Sequence, residues 1–283
     1  MTASGYIHGF GAQEERRLWE QAGILAPVVF AGLPLPLSGS LLEIGCGVGA
    51  QLDQVGTRCP QVQLTGIDLS LTNLNAAQGF VPGSAASAAR LLQADATALP
   101  FRDQSFDTAM TIWMLEHVID PSAVLREALR VLRPDGLLLC TEVDNATFRF
   151  LPELPAIQGW WDLFCVQQSE GGGDPFVGRK LRGLAQDLGC EEISTQELGI
   201  VSTELNPERR SELLAYLEEL LMSGAESLLA EQQAAAPGAE SALSVEGRLA
   251  EVRNEFAQAK ADPSIGFEYL AVRLTCRPPP YSL

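Results

Sequence analysis

The sequence predicts an α/β fold, a doubly wound sheet with helices on both faces, and two observations carry that prediction. The first is the run Leu41-Leu42-Glu43-Ile44-Gly45-Cys46-Gly47-Val48-Gly49, apolar until it breaks into three alternate glycines and passes into a helical pattern. Such a run reads as a buried strand, a tight loop and a helix N-terminus. The second is the alternation that follows, with strand signals at 41–45, 63–67, 89–93, 106–112 and 137–142 and helical stretches after each of the first four. Alternation of this kind needs crossovers, hence parallel strands with helices packed on both faces.

Taken in order, residues 1–40 open on Tyr6-Ile7-His8-Gly9-Phe10-Gly11 and continue into a charged helix over 13–26. There Leu18, Ala22 and Leu25 fall at helical spacing, and Glu14 and Glu15 occupy the first turn, where the helix dipole favours carboxylates. Pro34 and Pro36 mark a linker into the first strand. The glycine loop lets backbone approach a ligand, but Gly45, Gly47 and Ala50 also satisfy the dinucleotide pattern, so the loop alone admits two classes of cofactor. Ligands of such sheets sit at the carboxyl ends of the strands, which singles out the residues just beyond each one. After strand two stands Asp68, placed to accept from the two hydroxyls of a ribose in either class of cofactor. After strand three stands Asp95, a carboxylate able to accept from an exocyclic adenine amine, followed by Ala96. Strand four ends in Trp113-Met114-Leu115-Glu116-His117, and Asp120-Pro121 opens a helix over 122–132. Pro134-Asp135-Gly136 is a turn, with strand five directly after it.

Beyond strand five an insert of about thirty-five residues precedes a helical stretch at 178–188. The insert holds Phe148, Phe150, Trp160, Trp161 and Phe164, with Trp160 and Phe164 on one helical face, then a triglycine at 171–173. The stripe reads either as packing or as a substrate wall, and the triglycine as a hinge for a lid. Arg179 either binds a substrate carboxylate or balances surface charge. Strand six falls within 191–202 and strand seven at 267–275, separated by helices at 207–231 and 245–260 and an Ala, Gly and Ser-rich link at 232–244. The Leu213, Leu217, Leu220 and Leu221 face docks either on the core or on a second subunit, so the chain reads as a monomer or a homodimer.

Composition excludes several function classes. No run of 18 apolar residues occurs and the first residues lack a basic region followed by an apolar one, so neither a membrane span nor a secretory signal is expected. Six scattered cysteines, without a C-x-x-C pair and with only two histidines, argue for free thiols in a cytoplasmic protein and against a metal site or disulfide framework. The net charge of −17 repels phosphate backbones and favours neutral or cationic small ligands over nucleic acid.

Six motifs then agree: E-x-G-C-G-x-G, G-I-D-x-S, D-A-x-x-L-P-F, S-F-D, L-E-H-x-x-D-P and L-R-P-D-G-L-L-L, in this order. Over residues 40–145 they resemble a class I S-adenosylmethionine-dependent methyltransferase of the small-molecule type. The resemblance implies one domain over 1–283, with a Rossmann-like sheet of about seven strands, the last antiparallel. It divides into a helical lid at 1–40, a cofactor-binding core at 41–142, and inserts at 143–177 and 204–262 that serve substrate, lid or dimer contacts. It also implies that Gly45 and Gly47 line the methionyl part of S-adenosylmethionine and that Gln51 either contacts its amino-acid end or is a surface glutamine. Asp68 would hold the ribose, Leu69 cover one adenine face, and Asp95 and Ala96 read the adenine edge. Ile112 and Trp113 would offer backbone groups to the methionyl amine, the Trp113 indole being placed to wall the substrate cavity.

The function implied is in-line transfer of a methyl group to a nitrogen or oxygen of a small-molecule metabolite, leaving S-adenosylhomocysteine. Nitrogen stands slightly ahead because the chain is acidic, with Glu142 and Asp144 placed to grip a cationic amine. His117 is the candidate base for a hydroxyl acceptor, against a structural role; His8 is divided between base and lid closure. Tyr6, His8, Asp144, Trp160, Trp161, Phe164 and Arg179 form the candidate substrate side. A cofactor-binding scaffold without turnover is the alternative, and nicotinamide-dependent oxidoreduction a distant third.

Overall fold

The computed structural model describes residues 12–80, 89–201, 207–223 and 245–280. Tyr6, His8 and the 232–244 link lie outside the described residues. The helices are α1 (Ala12–Val29), α2 (Ala50–Arg58), α3 (Leu71–Phe80), α4 (Pro121–Val131), α5 (Pro155–Glu170), α6 (Leu181–Asp187), α7 (Pro207–Ser223) and α8 (Val245–Ala261). The strands are β1 (Gly39–Ile44), β2 (Val62–Asp68), β3 (Arg90–Gln93), β4 (Phe106–Ile112), β5 (Leu132–Leu151), β6 (Glu191–Val201) and β7 (Gly266–Arg277). They form one sheet in the order β3-β2-β1-β4-β5-β7-β6. β1 to β5 pair in parallel, and β7 runs antiparallel between β5 and β6, so the last strand is reversed as expected.

The order follows from burial. β1 carries four consecutive buried residues from Leu41 to Ile44, as a strand covered on both faces must. Leu41 packs with Leu25, Val29, Leu52 and Val55 on one face, while Leu42 and Ile44 pack with Val124, Leu125 and Ala128 of α4 on the other. Asp120 accepts from the Ala123 N–H at 2.9 Å and Pro121 starts α4, so that helix begins where its sequence places it. The strand order reverses between β1 and β4, which opens the crevice that the sheet offers a ligand.

Two expectations change, and one of two alternatives is met. β5 extends from Leu132 to Leu151, well past 142, and Phe148 and Phe150 belong to it rather than to an insert. Phe150 pairs with Phe267 of β7 in the ladder, while Phe148 lies in the irregular stretch between Asp144 and Arg149 and packs its ring on Phe267. The Pro134-Asp135-Gly136 turn lies within this strand: the ladder jumps from Phe106↔Leu132 to Thr108↔Leu137, leaving residues 133–136 out of register. The apolar face of α7 docks on this chain's own core, with Leu213, Leu217 and Leu221 all buried. No helix among the described residues is long and apolar enough to cross a membrane.

Candidate active site

The glycine loop follows β1 directly. Gly45, Gly47 and Gly49 have φ of 75°, 52° and 76°, a left-handed backbone that side chains rarely adopt. At Gly45 an added Cβ would lie 2.3 Å from Met114 Cγ, so the loop is pressed against the end of β4. At Gly47 nothing lies within 4 Å of that position, and the backbone faces open space. The N–H groups of Gly45 and Cys46 donate to the Ile67 carbonyl at 2.9 and 2.8 Å, tying the loop to β2. Ala22 of α1 packs against Val48 and Ala50, so α1 covers the start of α2.

Asp68, at the end of β2, joins the two sides of the crevice. Its Oδ2 accepts from the Gly47 N–H at 2.9 Å and its Oδ1 from the Ser70 N–H at 2.8 Å. Burial raises its pKa, against these hydrogen bonds. Oδ1 also accepts from Asn73 Nδ2 at 3.4 Å, so the capacity left for a hydroxyl-bearing ligand is the second lone pair of Oδ2. Leu69 beside it is 53% exposed, an apolar side chain displayed at the crevice. Asp95 is exposed and receives both the backbone and hydroxyl of Thr97 on Oδ1, at 2.8 and 2.7 Å, which lowers its pKa. The Ala94 N–H donates to the Asp68 carbonyl at 3.1 Å, bringing Asp95 and Ala96 to the same edge.

Around the loop, three buried polar atoms have no hydrogen-bond partner among the described residues: Glu43 Oε2, Gln51 Oε1 and Trp113 Nε1. Glu43, which sequence reasoning quoted in a motif but gave no role, has its pKa raised well above the ordinary value, by burial first and Asp68 second. Trp113 has φ 52°, a strained conformation for a bulky residue, at the carboxyl end of β4. Its N–H donates to the Thr141 carbonyl at 2.9 Å, so the backbone group it has to offer is its carbonyl. Ile112 pairs with Thr141 in the ladder.

On the other side of β4 the carboxylates are engaged internally. Glu142 is fully buried and accepts from Thr111 Oγ1 at 2.9 Å and from the N–H groups of Met114 and Leu115 at 3.0 and 3.1 Å. Its pKa is pushed up to about 8, by burial first and Glu116 second. Instead of gripping a substrate cation, Glu142 fastens the 3-10 turn Leu115–His117 to β5. Asp144 and Arg179 pair with each other, Arg179 Nε lying 2.9 and 2.8 Å from the two oxygens. The structure thus unites two predicted substrate residues and occupies both.

His117 closes that turn with its ring partly exposed. Its Nε2 is 3.7 Å from Glu116 Oε1 and its Nδ1 3.5 Å from Gln168 Nε2. Gln168 continues inward, donating to Glu116 Oε2 at 2.9 Å and approaching Asn145, whose Oδ1 accepts from the Tyr269 hydroxyl at 2.6 Å. This buried chain of Glu116, Gln168, Asn145 and Tyr269 carried no sequence signal. The triglycine is a packed end of α5: at Gly173 a Cβ would lie 2.4 Å from the Glu116 carbonyl, so the expected hinge is instead a close contact. Trp160, Trp161 and Phe164 are buried core residues. Trp161 stacks on Phe148 at 4.2 Å and on Phe164 at 5.4 Å, and its Nε1 donates to the Asn145 carbonyl at 2.9 Å; Trp160 Nε1 donates to the Leu221 carbonyl at 3.2 Å.

Comparison with known proteins agrees with this geometry. Residues 42–140 match the methyltransferase domain family. The chain is 37% identical over 130 residues to a demethylmenaquinone methyltransferase of Roseiflexus castenholzii, covering 46% of this chain and 51% of that protein. It is 36% identical over 163 residues to the O-methyltransferase rstn1 of Aspergillus nomiae, covering 56% of this chain and 67% of the relative. It therefore spans about half the length of the first and two thirds of the second. In fold it is similar to Haemonchus contortus phosphoethanolamine N-methyltransferase 2, solved with phosphomonomethylethanolamine and S-adenosylhomocysteine: TM-score 0.55, 19% identity, 92% of this chain and 53% of that one. Sequence motifs, strand order and relatives converge, and the chain belongs to the class I S-adenosylmethionine-dependent methyltransferases.

Proposed function

We propose that this chain binds S-adenosylmethionine across the glycine loop and transfers its methyl group to an oxygen or nitrogen of a small molecule. The observation that carries the reading is the open, left-handed backbone of Gly47 held by Asp68, together with three buried polar atoms of β1, α2 and the end of β4, Glu43 Oε2, Gln51 Oε1 and Trp113 Nε1, that have no partner among the described residues. Buried polar groups without partners are costly, and a ligand with an amino-acid end brings both donors and acceptors to such a place. Asp68 then holds the ribose with the remaining lone pair of Oδ2, Leu69 lies on the adenine, and Asp95 with Ala96 meets the adenine edge.

When bound, the cofactor supplies a sulfonium-activated methyl carbon for in-line displacement. The chain's contribution is alignment, which lowers a barrier by several kcal/mol, on the order of 7 at full effective molarity. With Glu142 and Asp144 committed internally, the preference for nitrogen keeps only the acidity of the chain and loses the two carboxylates expected to grip a cationic amine. The O-methyltransferase relative supports oxygen ahead of nitrogen. A hydroxyl acceptor must lose its proton, and His117 is placed to take it, its ring set by Glu116 and Gln168. The burial of Trp160, Trp161 and Phe164 in the core is the observation that favours the scaffold alternative.

The test is incubation with S-adenosylmethionine carrying a deuterated methyl and a panel of phenols, aliphatic alcohols and amines, read by mass spectrometry. A labelled methyl on any panel member supports the proposal and identifies the acceptor atom. Cofactor binding with no transfer across the panel favours the scaffold.

A further inference from the structure

Arg273 stands on β7, opposite Thr141 of β5 and Gln196 of β6, and one pleat before Thr275, which faces Ser194 of β6. It is 2% exposed. Its Nη1 donates to the Ala31 carbonyl at 2.9 Å and to Gln196 Oε1 at 3.2 Å, and its Nη2 to the Val29 carbonyl at 2.6 Å. All three acceptors are uncharged. Its Nε has no partner, and among the described residues no carboxylate pairs with it. A chain with net charge −17 has thus buried a guanidinium without a counter-ion among the described residues. Guanidinium stays protonated in proteins, and taking an unpaired ion out of water is expensive.

Against this side chain lies a cavity of about 180 Å³, lined by Gly32, Pro34, Ser194, Gln196, Arg273 and Thr275. The volume is several times the roughly 30 Å³ share of one water molecule. Its walls hold a cation, two hydroxyls and an amide, and no acid. Ser194, Gln196 and Gly32 are exposed, so the cavity opens to solvent along the edge strand β6. It is separate from the glycine loop: β7 lies three strand spacings from β1, roughly 14 Å across the sheet.

The geometry points to a second ligand site here, one that takes a small oxyanion, a carboxylate or a phosphate, on the Ser194 and Thr275 hydroxyls in the field of the Arg273 guanidinium. A cationic ligand is repelled by the guanidinium, and a purely apolar one leaves that charge uncompensated. The site is independent of the methyl-transfer reading, because no residue of the glycine loop or the Leu115–His117 turn lines it.

The test uses the full chain, titrated separately with inorganic phosphate and with acetate at constant ionic strength against chloride, followed by calorimetry and thermal melting. At least one of the two ions is expected to bind saturably and raise Tm where chloride does not; which one does so tells phosphate from carboxylate. Ser194→Leu fills the mouth from an exposed position and is expected to weaken that binding at least tenfold, as is Arg273→Gln. Because Arg273 also tethers the end of α1, Ser194→Leu decides the matter if Arg273→Gln does not fold. No saturable effect from either ion, or unchanged affinity in Ser194→Leu, overturns the proposal.

Discussion

Glu142→Gln should flatten the dependence of this protein's stability on pH. Glu142 is fully buried, and burial with Glu116 nearby moves its pKa from an ordinary 4.5 to about 8. The folded state therefore holds a proton on Glu142 that the unfolded state has released, throughout the window between those values. Where the native state binds the extra proton, stability falls as pH rises. The contribution is fully present below about pH 4.5 and lost as pH rises through about 8. At 1.36 kcal/mol per pK unit, the loss between pH 5.5 and pH 8.5 comes to about 3 kcal/mol. Glutamine is close in shape to the protonated acid: its oxygen can accept from the Met114 and Leu115 N–H groups, and its amide can donate to Thr111 Oγ1. The assay is urea unfolding of wild type and Glu142→Gln at several pH values across that range. The difference between the two curves cancels the titrating groups that do not interact with Glu142, Asp68 and Glu43 included, and leaves the Glu142–Glu116 pair. The variant should gain about 3 kcal/mol relative to wild type on going from pH 5.5 to 8.5. Parallel curves would show that Glu142 is ionised in the native state and refute the reasoning.

Other expectations follow from the same geometry. Asp68→Ala should weaken S-adenosylmethionine binding more than tenfold by calorimetry, since the hydrogen bonds of a carboxylate are worth ~1.5 to 3 kcal/mol; unchanged affinity would remove it from the cofactor site. Trp161→Ala should lower unfolding free energy by about 3 to 5 kcal/mol in urea, because it empties a stacked, fully packed position and leaves the Asn145 carbonyl without its donor; a loss below about 1 kcal/mol would mean the stack is not a core. Gly45→Ala should destabilise by about 1 kcal/mol or more, since the residue is left-handed and its Cβ would meet Met114; an unchanged urea midpoint would contradict the described backbone. His117→Ala should lower turnover on a hydroxyl acceptor at least a hundredfold with cofactor affinity intact, the scale of one lost general base; near-normal kcat would leave His117 a structural residue.

What was legible depended on how local the determinant is. The glycine loop, Asp68 and the Asp120-Pro121 helix start are written in neighbouring residues, and the structure has them where the sequence puts them. Strand five was read short because Phe148 and Phe150 owe their conformation to β7, more than a hundred residues away, which no local pattern reveals. Asp144 and Arg179 each looked available for a substrate, since nothing within 35 residues of sequence marks them as partners. The aromatic stripe reads either as packing or as a substrate wall, because helical spacing only puts Trp160 and Phe164 on one face; the packing of β7 and α7 turns that face inward. Glu142 reads as an acid at a strand end placed to grip a cationic amine, whereas the turn at Leu115–His117 encloses it. Errors therefore gathered on the substrate side, where long-range packing decides which groups reach a ligand.

The central claim is that the glycine loop, Asp68 and Asp95 together cradle an adenosyl sulfonium, and calorimetric titration of the purified chain with S-adenosylmethionine, S-adenosylhomocysteine and NAD tests it most directly. The structure predicts saturable binding of the first two at one site per chain and none of NAD. Binding of NAD, or of none of the three, would contradict it.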